Sequence, residues 1–184
     1  MGNFNRVSII AAVLLAGAGC ATGPAVLVDQ DPNADLRSYR TFGFFDDVAT
    51  DRDTRYSTLL TEHLKKATRT ELERLGYVYV ESAPELRVNF FLNVQERQEI
   101  RATPTTAGFI GPRLYGAWGG YDVQTVQYKA GTLSIDLVDA RRNSLVWQGH
   151  VEGRVRKEAI ENPSSALGKI VAEIFSNFPN SPPA

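Results

Sequence analysis

Over residues 86–95 apolar side chains at Leu86, Val88, Phe90, Leu92 and Val94 are interleaved with Arg87, Asn89, Asn93 and Gln95. A repeat of two puts one set on each face of an extended chain, so the segment is predicted to be a strand with one wet face. Residues 131–139 repeat the alternation, as do 145–156, where Leu145, Trp147, Val151 and Val155 alternate with polar neighbours. The turn formers between them, 139–144, predict a hairpin. Short β-branched or aromatic runs at 25–28, 39–45 and 77–80 predict three more strands, the first two separated by the turn-rich segment 29–35.

The repeat becomes helical between about 53 and 75. Leu60, Leu64, Ala67, Leu72 and Leu75 fall on one stripe, with Lys65, Lys66, Arg69, Glu73 and Arg74 largely off it, and Gly76 supplies the left-handed stop. Asn162 followed by Pro163 predicts a second helix start, and Ala166, Leu167, Ile170, Val171, Ile174, Phe175 and Phe178 give it a wide apolar face that ends at Pro179. Strands joined mainly by hairpins, with two amphipathic helices, predict an α+β fold: a mostly antiparallel sheet with both helices packed on one face, a two-layer sandwich.

Residues 1–20 break from this scheme. Arg6 precedes an apolar stretch of about ten residues and then Gly17, Ala18, Gly19 and Cys20, the layout of an export signal and about half the length needed to span a bilayer. Two processing routes fit: lipoprotein cleavage before Cys20, or ordinary cleavage after Ala18 under the small-x-small rule. The expectation is lipid attachment at Cys20, because the second route leaves the chain's one cysteine as an unexplained thiol beside the mature N-terminus. The organisation expected is a signal peptide at 1–19, a lipidated tether at 20–24, a single domain at 25–179 and a flexible tail at 180–184. The implied location is the bacterial envelope, lipid-anchored and facing the periplasm from the outer membrane, since Ala21 is not the Asp that retains some lipoproteins at the inner membrane.

Composition narrows function mainly by exclusion. The 184 residues carry 20 basic and 21 acidic side chains, no field to gather nucleic acid, so no nucleic-acid partner is expected. One cysteine and two distant histidines, His63 and His150, give neither a disulfide nor zinc-site spacing. No metal or cofactor is expected.

The segments resemble a known family of bacterial envelope lipoproteins, domain of unknown function 4136. The resemblance lies in Tyr39-Arg-Thr-Phe-Gly-Phe44, Leu75-Gly-Tyr77, residues 84–90, residues 131–140 leading to Leu145-Val-Trp-Gln-Gly149, and Ile174-Phe-Ser-Asn-Phe-Pro179, spread over 26–179. It implies an exported, usually lipidated α+β domain and brings no reaction or catalytic residues with it.

Candidate sites are few. Asp29, Asp31, Asn33 and Asp35 have calcium-loop spacing, but Ala34 and Arg40 stand where that loop needs Gly and Glu, and a capped turn is the better account. Asp46, Asp47, Asp51 and Asp53 could supply a carboxylate pair for hydrolysis, or simply meet the positive end of the helix that follows. No Gly-x-Ser-x-Gly elbow accompanies either histidine. The long segment 103–121 sets Phe109, Tyr115, Trp118 and Tyr121 among glycines and prolines, and two readings stand: a hairpin excursion that packs back over an open sheet face, or, with these four residues, a candidate contact surface for an envelope protein, a glycan or the membrane interface. The function expected is a lipid-anchored binding or structural module with no catalytic residues. The alternatives are an Asp/Glu hydrolase or a carrier of a lipid or other small apolar ligand.

Overall fold

The computed structural model describes residues 25–54, 57–105 and 120–179. The elements are β1 (Ala25–Gln30), β2 (Thr41–Phe44), α1 (Leu59–Arg74), β3 (Val78–Tyr79), β4 (Leu86–Thr105), β5 (Gly120–Asp139), β6 (Ser144–Arg154), α2 (Lys157–Glu161) and α3 (Pro163–Ser176). All six strands join one sheet in the order β1-β6-β5-β4-β2-β3.

The sheet is mixed, which corrects the expectation of a mostly antiparallel one. β1–β6, β6–β5 and β5–β4 are antiparallel, but β2 pairs in parallel with both β3 and β4. The cause is α1. A helix between β2 and β3 carries the chain back to the end from which β2 started, so the next strand runs alongside in the same direction. The helices also number three, because α2 and α3 are separate and meet at Asn162. Asn162 lies just ahead of Pro163 as expected, yet its side chain makes no capping bond.

α1 begins later than the expected boundary near 53, at Leu59, where the Thr58 hydroxyl accepts from the Thr61 amide. It ends at Gly76 with φ 90°, and the Tyr77 amide donates to the Leu72 carbonyl at 3.0 Å, closing the last turn. Its fully buried column is Thr61, Leu64, Thr68 and Leu72, so two threonines take the places expected of Leu60 and Ala67, which are only partly buried.

One core joins sheet and helices. Leu86, Val88 and Phe90 of β4, Leu133, Ile135 and Leu137 of β5, and Trp147 of β6 meet Leu64 and Leu72 of α1 and Val171, Ile174 and Phe175 of α3. The Trp147 ring stacks on Phe175 at 5.3 Å and leans on Phe178 at 5.1 Å. The register shifts between Leu137 and Val138, leaving Val146 as an extra residue, and Val146 and Trp147 are both buried in consequence.

The largest departure from expectation is the length of the central hairpin. β4 and β5 stay paired for 20 residues each, from Leu86 opposite Asp139 to Thr105 opposite Gly120. β2 accompanies β4 only through Val88, and β6 reaches only Ala130 of β5. Everything beyond is a two-stranded ribbon standing clear of the sheet. Thr103 and Tyr121, expected in a loop, are strand residues.

Candidate functional site

The ribbon is the feature of the fold best placed to make contacts. On the face that continues the core side of the sheet, Glu96 opposes Lys129 and Gln98 opposes Gln127, followed by Ile100 opposite Thr125, Ala102 opposite Val123 and Pro104 opposite Tyr121. Ile100, Val123 and Tyr121 are exposed by 72%, 61% and 69%. The other face is charged and braced at its root: Arg97 pairs with Glu152 at 2.8 Å, Arg154 pairs with Glu99, and the Arg154 guanidinium lies 3.9 Å from the Tyr128 ring centre. Of the four expected contact residues, Tyr121 is thus exposed near the ribbon tip, while Phe109, Tyr115 and Trp118 lie outside the described residues, as does Cys20.

The length of the ribbon is not announced by the sequence, and the reason is physical. Alternation is legible only where one face is dry. Over 95–104 and 121–129 the side chains on both faces are mostly exposed, so polar residues are accepted at both sets of positions and the repeat of two disappears.

The acidic segment before α1 has a structural task. The Asp51 carboxylate accepts from the Thr58 amide (3.0 Å), the Thr58 hydroxyl (2.9 Å) and the Thr61 hydroxyl (2.5 Å). Burial pushes its pKa up, but these donors outweigh that and hold it below the ordinary value. A general acid needs the opposite shift.

An open groove of about 600 Å³ lies alongside, between the β2–β3 edge and α1. Phe44 and Tyr79 form its aromatic part, with Lys65 6.0 Å from the Phe44 ring centre and Arg69 4.3 Å from that of Tyr79. Asp46, Glu62 and Glu81 also line it. Its charges are already satisfied in part: Glu62 accepts from Ser57 and pairs with Lys65 at 3.6 Å, and Glu73 pairs with Arg69 at 2.7 Å. Of the 46–53 segment the groove is lined by Asp46, which stands with Glu62 and Glu81 rather than with a second carboxylate of that segment.

A tighter cluster forms at the β5–β6 turn, where Asp139 is only 3% exposed. Its Oδ1 accepts from the Arg141 and Arg142 amides at 2.8 and 2.9 Å, and its Oδ2 accepts from the Tyr39 hydroxyl and Arg142 Nε, both at 2.8 Å. The Arg142 amide leads the donors that hold this carboxyl well below the carboxylate range, against the opposing push of burial. With every donor supplied by the chain itself, the cluster ties a turn to the segment before β2.

His63 lies in α1, and His150 sits in β6 opposite Leu27 and Ser134. Asp31 accepts from the Asn33 amide and Asp35 from the Arg37 amide, the bonds of capped turns. Among the described residues no group of three His, Cys, Asp or Glu side chains is placed to hold a metal ion, and no helix is long and apolar enough to cross a membrane.

None of the curated proteins matches the chain in sequence. Among solved structures it is similar to a PDZ domain protein from Parabacteroides distasonis, with TM-score 0.56 and 11% identity, over 86% of this chain and 36% of that one. The chain therefore spans little more than a third of that protein's length. It is also similar to a DUF4136 family protein from Bacteroides thetaiotaomicron, with TM-score 0.50 and 14% identity, over 85% of this chain and 96% of that one. At such identities the likeness is one of fold. In sequence, the profile of the domain of unknown function DUF4136 matches residues 26–180, and the chain belongs to that family.

Proposed function

We propose that this protein is a lipoprotein of the bacterial envelope, held by an acylated Cys20 in the outer membrane facing the periplasm, and that it works as a binding or structural module. The observation that carries this reading is the β4–β5 ribbon, which presents Ile100, Val123 and Tyr121 to the surroundings, far from the packed core. Four further points support it. The export-type segment ends in the chain's one cysteine. The carboxylates at 51 and 139 are consumed by local hydrogen bonds. The contact between α3 and β6 is filled by Trp147, Phe175 and Phe178. The family brings no assigned reaction.

Two or three acyl chains on Cys20 would hold the protein stably, each buried CH₂ contributing about 0.8 kcal/mol. The test is fractionation of cells grown with a labelled fatty acid. Wild-type protein is expected to carry label and sediment with membranes, and Cys20→Ser to lose both. Unchanged sedimentation of the Cys20→Ser protein would overturn the anchor.

A further inference from the structure

The ribbon and the N-terminus leave the sheet at the same end. Ala25 pairs with Glu152, Glu152 with Thr132, and Thr132 with Asn93, so the first residue of β1 is level with Asn93. β1 runs away from the ribbon tip, so Ala25 is the residue of that strand nearest the tip. Beyond Asn93, β4 continues for twelve residues to Thr105, a reach of about 40 Å at ~3.3 Å per residue. The five peptide units from Cys20 to Ala25, in any conformation, span at most about 18 Å.

A lipid on Cys20 therefore holds Ala25 closer to the bilayer surface than the ribbon is long. Standing upright, the ribbon would drive its tip through the headgroups into hydrocarbon. Its outer edges forbid that: among the described residues β4 beyond Phe90 and β5 before Lys129 have no strand beside them, and unpaired backbone groups are not tolerated in the bilayer core. A ribbon lying obliquely, with one face towards the lipid, avoids this conflict. Its two faces differ in suitability. One bears Arg97, Glu99 and Arg101, whereas the other ends in Ile100, Ala102, Val123, Pro104 and Tyr121. Tyrosine beside aliphatic side chains suits a half-wet interface.

We infer that the tip of the β4–β5 ribbon is a second membrane contact, seated through Ile100, Val123 and Tyr121 at the headgroup level of the bilayer that holds Cys20. The inference rests on the reading of Cys20 as acylated. It gives the protein a fixed orientation on the membrane: the lipid and the tip are two points of attachment, and the far end of the sheet, with the β5–β6 turn, faces away.

The test uses the full-length acylated protein. Acylation consumes the native thiol, so Val123→Cys supplies a single site for an environment-sensitive fluorophore, and Arg141→Cys, in the turn at the opposite end, is the control. The labelled proteins are placed in phosphatidylethanolamine–phosphatidylglycerol vesicles with and without brominated lipid. Bromine is expected to quench the label at 123 at least twofold and leave that at 141 unchanged. Ile100→Ser with Tyr121→Ser should bring quenching at 123 down to the control level, with the melting temperature and the membrane-bound fraction unaltered. A label at 123 that stays unquenched on protein retained by the vesicles overturns the tip contact and leaves the anchor standing. A label that shifts to shorter wavelength without quenching, cross-linking to a second copy, overturns it in favour of a protein partner. Absence of fatty acid on Cys20 overturns both readings together.

Discussion

Asp139 shows how a single side chain can hold two distant parts of the chain. Its carboxylate receives donors from the turn that follows it and from Tyr39, one hundred positions away. Asp139→Asn keeps the shape but loses the charge and at least one acceptor, and it should lower the unfolding free energy by about 2–4 kcal/mol in denaturant melts, because charged donors are left underused in a buried place. Thr68 presents the opposite case. Its hydroxyl is buried in α1 without a partner. Thr68→Val is isosteric and removes the unsatisfied group, so it should raise stability by about 1 kcal/mol. A loss of stability in that variant would show that the hydroxyl is bonded in solution.

The elements fit because of a few tight approaches. A β-carbon at Gly149 would sit 2.4 Å from Ile174 Cγ2 and 2.6 Å from the Trp147 ring, so β6 can pass beneath α3 only without a side chain there. Gly149→Ala should cost about 1–3 kcal/mol through overpacking, read as a lower midpoint in urea with an unchanged slope. At the start of α1, Thr58 serves both as the helix cap and as a donor to Asp51. Thr58→Ala is expected to cost about 1–2 kcal/mol, towards the upper end for a cap because Asp51 loses a donor as well. The expected amphipathic helices and core strands were legible because each has one dry side. The strand expected at 77–80 is there as the two-residue β3, whereas the short α2 was not legible, since five residues are too few to display a repeat.

For the molecule as a whole, the shifted groups set how stability varies with pH. Asp51, Glu85 and Asp139 are held below their ordinary values in the folded state. Their contribution is therefore complete above the unfolded value, near ~4, and is lost as pH falls through the folded ones. Asp136, pushed up by burial despite a bond from Gln148, works against this trend in part. Tyr77, buried and donating to the Leu36 carbonyl, is pushed up to about 12. Its contribution is present below pH ~10 and is lost as pH rises towards the folded value. Denaturant melts across pH should show a broad plateau that falls off below pH 4 and again above pH 10, and Asp139→Asn should flatten the acid limb. The same division between local and distant causes separates what the chain alone dictates from what its folding adds. Apolar spacing and turn formers were enough to predict the α+β class, most strands and both main helices, because burial on one face is a local property of a sequence, and the anchor expected at Cys20 rests on a local signal of the same kind. The parallel edge around β2, the knot between Asp139 and Tyr39 and the ribbon all depend on which segments meet across the sheet. The ribbon had to be seen in three dimensions, because a strand with water on both faces leaves no hydrophobic signature along the chain.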